Sequence, residues 1–198
     1  MTLTALDART ALVLVDLQEG ITWMLGRDAV AATLTQAARL ADAFRRRDLP
    51  VVLVRVDFSA DGADRPRNRV GIQRTGSAPP ANWAQIVAEL NPTSTDLIVT
   101  KRQPGAFYGT DLDLQLRRRA VTGIVLGGIM TSMGVESTAR AGYDHGYNIT
   151  FAADAMTDPN PQAHQHSVQT IFPMLGEVDT TDAIIATLAA SPTATPVP

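Results

Sequence analysis

Five short, nearly continuous apolar runs punctuate the chain: Ala11–Val15, Val51–Val54, Leu97–Val99, Val121–Leu126 and Ile149–Ala152. They are rich in Val, Ile and Leu and show no alternation with polar residues, which predicts strands covered on both faces. Between the first two, Val30, Leu34, Ala37, Ala41 and Phe44 recur at helical spacing, and Arg45, Arg46 and Arg47 follow where cations suit the end of a helix. Thr110-Asp111-Leu112-Asp113 has the form of a capping box opening a helix that runs to about Arg119. Further helices are predicted over Ser132–His145, stopping at Gly146, over Pro161–Ile171 and over Thr181–Ala189. Strands alternating with helices imply right-handed crossovers and a mostly parallel sheet. The expectation is an α/β fold, a single-domain, doubly wound, Rossmann-like three-layer sandwich.

Composition narrows this further. The chain has 198 residues, 45% of them hydrophobic and 19% charged, enough for one hydrophobic core and too few for two. Residues 1–190 are expected to form that domain, and the Pro/Thr/Ala-rich 191–198 to be a flexible tail. The formal charge of −3 gives no electrostatic pull toward nucleic acid. With no cysteine, disulfides, thiolate metal sites and thiol nucleophiles are excluded. The first residues carry no basic, apolar leader and no run approaches a membrane span, so a cytoplasmic protein without a membrane partner is expected. Asp57–Pro80 has no apolar period and contains Arg65, Arg67, Arg69 and Arg74. A loop of this length is either a lid or subunit contact, or a solvated excursion.

The candidate chemistry lies at strand ends. Asp16 directly follows the first run and Lys101 directly follows Leu97–Thr100, and ligands in doubly wound sheets bind beyond the carboxyl ends of the strands. A charge there is either used or caps the next loop. The turn Gly127–Val135 leads from the fourth strand into a helix, whose entrance offers unpaired amides and a positive dipole end. No G-x-G-x-x-G follows the first strand, so no dinucleotide is expected.

These residues carry a resemblance. Ala11-Leu-Val-Leu-Val-Asp16-Leu-Gln18, the run Lys101-Arg-Gln-Pro-Gly-Ala-Phe107-Tyr-Gly-Thr110-Asp-Leu112, and Gly128, Thr131, Gly134-Val-Glu-Ser-Thr138-Ala, Gly146, Asp154 and Ala155 together resemble the isochorismatase-like family, which includes nicotinamidases and N-carbamoyl amidohydrolases. The similarity spans about residues 8–188. It implies a homo-oligomer, a dimer or tetramer, that hydrolyses a small anionic molecule without a cofactor. It also implies Asp16 as the acid/base aspartate, Lys101 as the active-site lysine, a cis peptide at Ile129-Met130, backbone support from Met130 and Gly134, and a pocket of Gln18, Phe107, Thr131 and Met133.

The family's amidohydrolases have a cysteine where this chain has Gly134, whereas true isochorismatases have glycine. The implied reaction is therefore non-covalent cleavage of a vinyl ether, with Asp16 donating a proton to the alkene carbon before water attacks. Two alternatives stand beside it: an amidohydrolase without cysteine, and an inactive relative that binds or assembles. Burial among apolar strands would raise the pKa of Asp16 while Lys101 would lower it. The metal-dependent relatives carry Asp-x-His where this chain has Asp57-Phe58-Ser59, so no metal is expected; His164 and His166 lack a third ligand. Trp23 is read either as a pocket wall or as core or interface packing.

Overall fold

A computed structural model describes residues 3–71 and 81–190; the sequence expectations for the 191–198 tail and for Arg74 lie outside them. Six strands form one sheet, β1 (Thr10–Val15), β2 (Val51–Val56), β3 (Leu97–Lys101), β4 (Gly123–Ile129), β5 (Asn148–Thr157) and β6 (Glu177–Asp179). Their order is β3-β2-β1-β4-β5-β6 and every pairing is parallel. The order reverses between β1 and β4, so the crevice expected of such sheets lies beyond Val15 and Ile129.

Helices cover both faces: α1 (Glu19–Leu25), α2 (Arg27–Arg45), α3 (Leu112–Arg118), α4 (Glu136–Asp144), α5 (Pro161–His166) and α6 (Thr181–Ala190). A wide π-type turn, Thr131–Val135, leads into α4, and a second, Ser167–Ile171, continues α5. The period of two along β1 divides the interior. Leu12 and Leu14 join Val30, Leu34, Leu40 and Phe44 of α2 and Ile184 of α6 in one cluster. Ala11, Val13 and Val15 join Leu112 and Leu116 of α3 and Val135 and Ala139 on the other face. Both faces of the strand are therefore dry, and a run with no polar alternation is what that requires.

Several details differ from the sequence reading. Helix α1 spans only two turns, too few for a periodic pattern to emerge. Strand β6 is a three-residue polar edge, Glu-Val-Asp, with no apolar run to betray it. The Thr110 capping box does not form: Asp111 is the residue before α3, and the Thr110 hydroxyl accepts from the Leu112 amide while donating to the Ala106 carbonyl. Thr110 thus closes the preceding turn instead.

Strand β5 runs five residues past Ala152, to Thr157, after a register shift opposite Leu126 and Gly128. The described part of the Asp57–Pro80 loop is exposed from Ala60 to Gly71 save for Gly62, and Arg102 pairs with Asp64 to hold it. Among the described residues no helix is long and apolar enough to cross a membrane.

A very tight backbone approach in the sheet is at Gly128. Its φ is +123°, and a Cβ there would stand 2.1 Å from the Val15 carbonyl oxygen. Backbone cannot yield as a flexible side chain does, so Gly128→Ala is expected to lower stability by about 3 kcal/mol, read as a lower urea midpoint at unchanged slope.

Candidate active site

The carboxyl ends of β1 and β3 deliver the two charges. Asp16 follows β1 with φ +55°, a left-handed conformation that costs a non-glycine residue of order 1 kcal/mol and turns the chain sharply out of the strand. Its amide still donates to the Val54 carbonyl, so the turn begins within the sheet. Lys101 closes β3, opposite Val56. Strand β2 lies between, so the pair spans two strand spacings of about 4.8 Å each. A lysine and an aspartate side chain together bridge that gap.

They meet at 2.7 Å, Lys101 Nζ donating to Asp16 Oδ2, and Nζ also donates to the Pro104 carbonyl at 2.8 Å. Both side chains are buried, 2% exposed for Lys101 and 9% for Asp16. The other carboxylate oxygen, Asp16 Oδ1, is buried and has no hydrogen-bond partner. Burial raises the Asp16 pKa to about 6 against the opposing pull of the Lys101 charge and hydrogen bond. Of the two effects that compete over this aspartate, desolvation wins.

Gly134 faces the pair. A Cβ on it would stand 3.0 Å from Val15 Cγ1, 3.1 Å from the Ile129 carbonyl and 3.3 Å from Asp16 Oδ2. The Ile129–Met130 peptide is cis. The Met130 carbonyl accepts from the Met133 and Val135 amides and closes the turn, while Met130 itself is half-buried against the α2-side core. Met133, beside Gly134, is 45% exposed, so the turn reaches the surface one residue from Gly134.

Other residues expected at the pocket have different places. Gln18 is fully buried and its amide is fully engaged: Nε2 donates to the Val56 and Trp83 carbonyls and Oε1 accepts from the Val56 amide. It is a clamp between β1, β2 and the Trp83 segment, with no polar atom left for a ligand. Phe107 is no pocket wall either. Its ring lies 5.1 Å from His145 and 5.8 Å from Tyr147 and against Gly142, at the end of α4 away from Gly134. Trp23 is 67% exposed on α1, so it is neither wall nor core in this chain.

Thr131 is fully buried, and its hydroxyl meets His164 Nδ1 at 2.8 Å. His164 and His166 do not act as a pair, since His166 is exposed and only His164 turns to this site. Among the described residues no group of three or more His, Asp or Glu could hold a metal ion.

Asp158 and His164 contact the turn beside Gly134; Asp158 has no place in the sequence reading, and His164 enters it only beside His166, as a pair without a third metal ligand. Asp158 Oδ2 accepts from the Ser132 amide at 2.9 Å and from the Ser132 hydroxyl at 2.7 Å. The signal for it was the strand-end rule that marks Asp16 and Lys101. It was hidden because β5 reads as ending at Ala152, and the bulged extension to Thr157 carries polar residues. His164 had no comparable signal, for its partner is 33 residues away.

Comparison with known proteins agrees with this architecture. Residues 10–183 match the isochorismatase domain family. The chain is 43% identical over 180 residues to the isochorismatase family protein YecD of Escherichia coli O157:H7, covering 90% of this chain and 96% of that one. A solved isochorismatase family protein from Burkholderia thailandensis superposes with a TM-score of 0.89 at 39% identity, over 93% of this chain and 98% of that one. N-carbamoylsarcosine amidase from Thermoplasma acidophilum is more distant, with a TM-score of 0.71 at 25% identity over 88% of this chain and 97% of that one.

The competition at Asp16 has a direct consequence. Lys101→Met removes the group that lowers the Asp16 pKa, so the carboxyl should titrate above about 6, seen in its carbon chemical shift against pH. Loss of one partner of a buried pair should also cost about 3 kcal/mol of stability. An Asp16 titration that stays put or moves down would show that Lys101 does not act on it.

Proposed function

Because this chain belongs to the isochorismatase family of hydrolases, we propose that it hydrolyses a small molecule by proton transfer at Asp16, with water and no side chain as the attacking group. The observation that carries this reading is a buried carboxyl group with a pKa of about 6 facing a glycine. A proton-transfer group is most effective when its pKa lies near the working pH. Gly134 offers no nucleophile, so a covalent intermediate with that residue is not part of the scheme.

Vinyl-ether cleavage fits these parts best. Protonated Asp16 gives its proton to the alkene carbon, and the electron-poor carbon left beside the ether oxygen is attacked by water. The adduct collapses, the C–O bond breaks toward the departing alcohol, and a ketone remains. One proton of the water leaves with the alcohol and the other restores Asp16. Lys101 holds Asp16 Oδ2 in place throughout, and the fixed orientation contributes as much as the charge. The anionic substrate expected from sequence has less support, because Lys101 Nζ is buried and already engaged by Asp16 and Pro104.

The likeness to an amidase favours a second reading, in which ionised Asp16 takes a proton from water that attacks an amide. The two readings predict opposite pH limbs. An acid role makes kcat/KM fall as pH rises through about 6, where Asp16 loses its proton; a base role makes it rise through the same value. The experiment is turnover of a panel of vinyl ethers, amides and carbamoyl compounds from pH 4.5 to 8.5, with Asp16→Asn as control. We expect vinyl-ether turnover that declines above about pH 6 and falls at least ~100-fold in Asp16→Asn. Equal rates in that variant would show that Asp16 does not carry the reaction, and no turnover of any compound would leave the chain as a binding or assembly protein.

A further inference from the structure

One threonine of α4 takes no part in proton transfer yet touches two sides of the site. Thr138 is fully buried, and a buried hydroxyl without partners is costly. Its Oγ1 donates to the Gly134 carbonyl at 2.7 Å and accepts from the Ala106 amide at 3.1 Å. The first bond is the ordinary return of a helical threonine to the carbonyl four residues back. The second is not local. Ala106 lies 32 residues away, in the loop between β3 and α3.

That loop carries the second partner of Lys101. Nζ donates to the Pro104 carbonyl at 2.8 Å, two residues before Ala106. Between them Gly105 lies directly on α4, where a Cβ would stand 3.4 Å from the Ser137 carbonyl. The Thr110 hydroxyl donates to the Ala106 carbonyl, so Ala106 is held by both of its backbone groups. A ring of contacts results: Asp16 to Lys101, Lys101 to Pro104, Ala106 to Thr138, Thr138 to Gly134, and Gly134 back against Asp16. It joins the carboxyl ends of β1, β3 and β4, and the Thr138 hydroxyl is the link that α4 contributes.

We propose that Thr138 is a positioning residue: by holding the Pro104–Ala106 loop on α4, it keeps Lys101 Nζ against Asp16 Oδ2 and fixes that pair relative to the Gly134 turn. This rests on the reading of Asp16 as the proton-transfer group. The hydroxyl itself meets no substrate, because it is buried with its proton given to Gly134 and an acceptor site taken by Ala106. Without it the Ala106 amide loses its acceptor, and a buried N–H in that state favours movement of the loop. Nζ follows Pro104, its pull on Asp16 weakens, and burial then acts on the carboxyl less opposed.

Thr138→Val keeps the shape and removes the hydroxyl, while Thr138→Ser keeps the hydroxyl and removes a methyl group. Read from its carbon chemical shift, the Asp16 carboxyl should titrate at least ~0.5 pH unit higher in Thr138→Val and at the parent value in Thr138→Ser. Thr181→Val removes another fully buried hydroxyl, at the start of α6, and as the control should leave Asp16 unmoved. In a Lys101→Met background, adding Thr138→Val should move the titration no further, since Thr138 acts through the lysine. Should Thr138→Val fail to fold, Thr138→Cys, a weak donor and acceptor in the same place, should shift Asp16 upward in its stead. An Asp16 titration unmoved or lowered in the variant used, an equal shift in Thr138→Ser or Thr181→Val, or a further shift on top of Lys101→Met would each overturn the proposal. None of these measurements needs turnover; failure of the catalytic reading shows instead as unchanged rates in Asp16→Asn.

Discussion

The ion pair between Lys101 and Asp16 sets the terms for everything around it. Removing two charges from water costs several kcal/mol for each ion, and only close mutual contact with further hydrogen bonds offsets it. The 2.7 Å contact and the Pro104 carbonyl meet that requirement for Lys101, whereas Asp16 keeps one oxygen unpartnered. The imbalance lies on the carboxylate, and it is the carboxylate whose pKa moves. A site in which both partners were fully satisfied would be a structural staple with nothing left to react.

The backbone is arranged to sustain that imbalance. Asp16 stands in a left-handed conformation that its side chain makes unfavourable, and Gly134 approaches so closely that even a methyl group would press on Val15 and Ile129. Gln18, two residues on, ties this bend to β2 and to the Trp83 segment through its whole amide group. The strand end is thus braced from outside while its one open acceptor is preserved. On the far side of the turn, Asp158 accepts from Ser132, His164 meets the Thr131 hydroxyl, and Glu136 in the first turn of α4 accepts from Ser167 and Arg140.

How much of this was legible depends on whether a feature is local. Unbroken Val/Leu runs in β1, β2 and β4 announce strands dry on both faces, and the Val30-to-Phe44 spacing announces α2, because burial on one or two faces writes a period into consecutive residues. Asp16 and Lys101 stood out because a charge at the end of a dry strand is costly wherever it points. Gln18 and Phe107 misled for the complementary reason: nothing in their neighbourhood reveals that one amide faces backbone from two other segments or that one ring turns toward the end of α4.

The order of polar and apolar residues by itself determined the α/β class, the positions of the long elements and the two charges at the carboxyl ends of β1 and β3. Only the tertiary structure decided that a lysine on an edge strand reaches over β2 to an aspartate, that a bulged β5 extends far enough to bring Asp158 onto Ser132, and that burial outweighs the lysine in setting the aspartate's pKa. The physical reason is the same in each case. Periodicity records which face of an element is dry, a property of neighbouring residues. Desolvation, reach across strands and the engagement of a helix end depend on groups far apart in the chain, and those meet only once the sheet has formed.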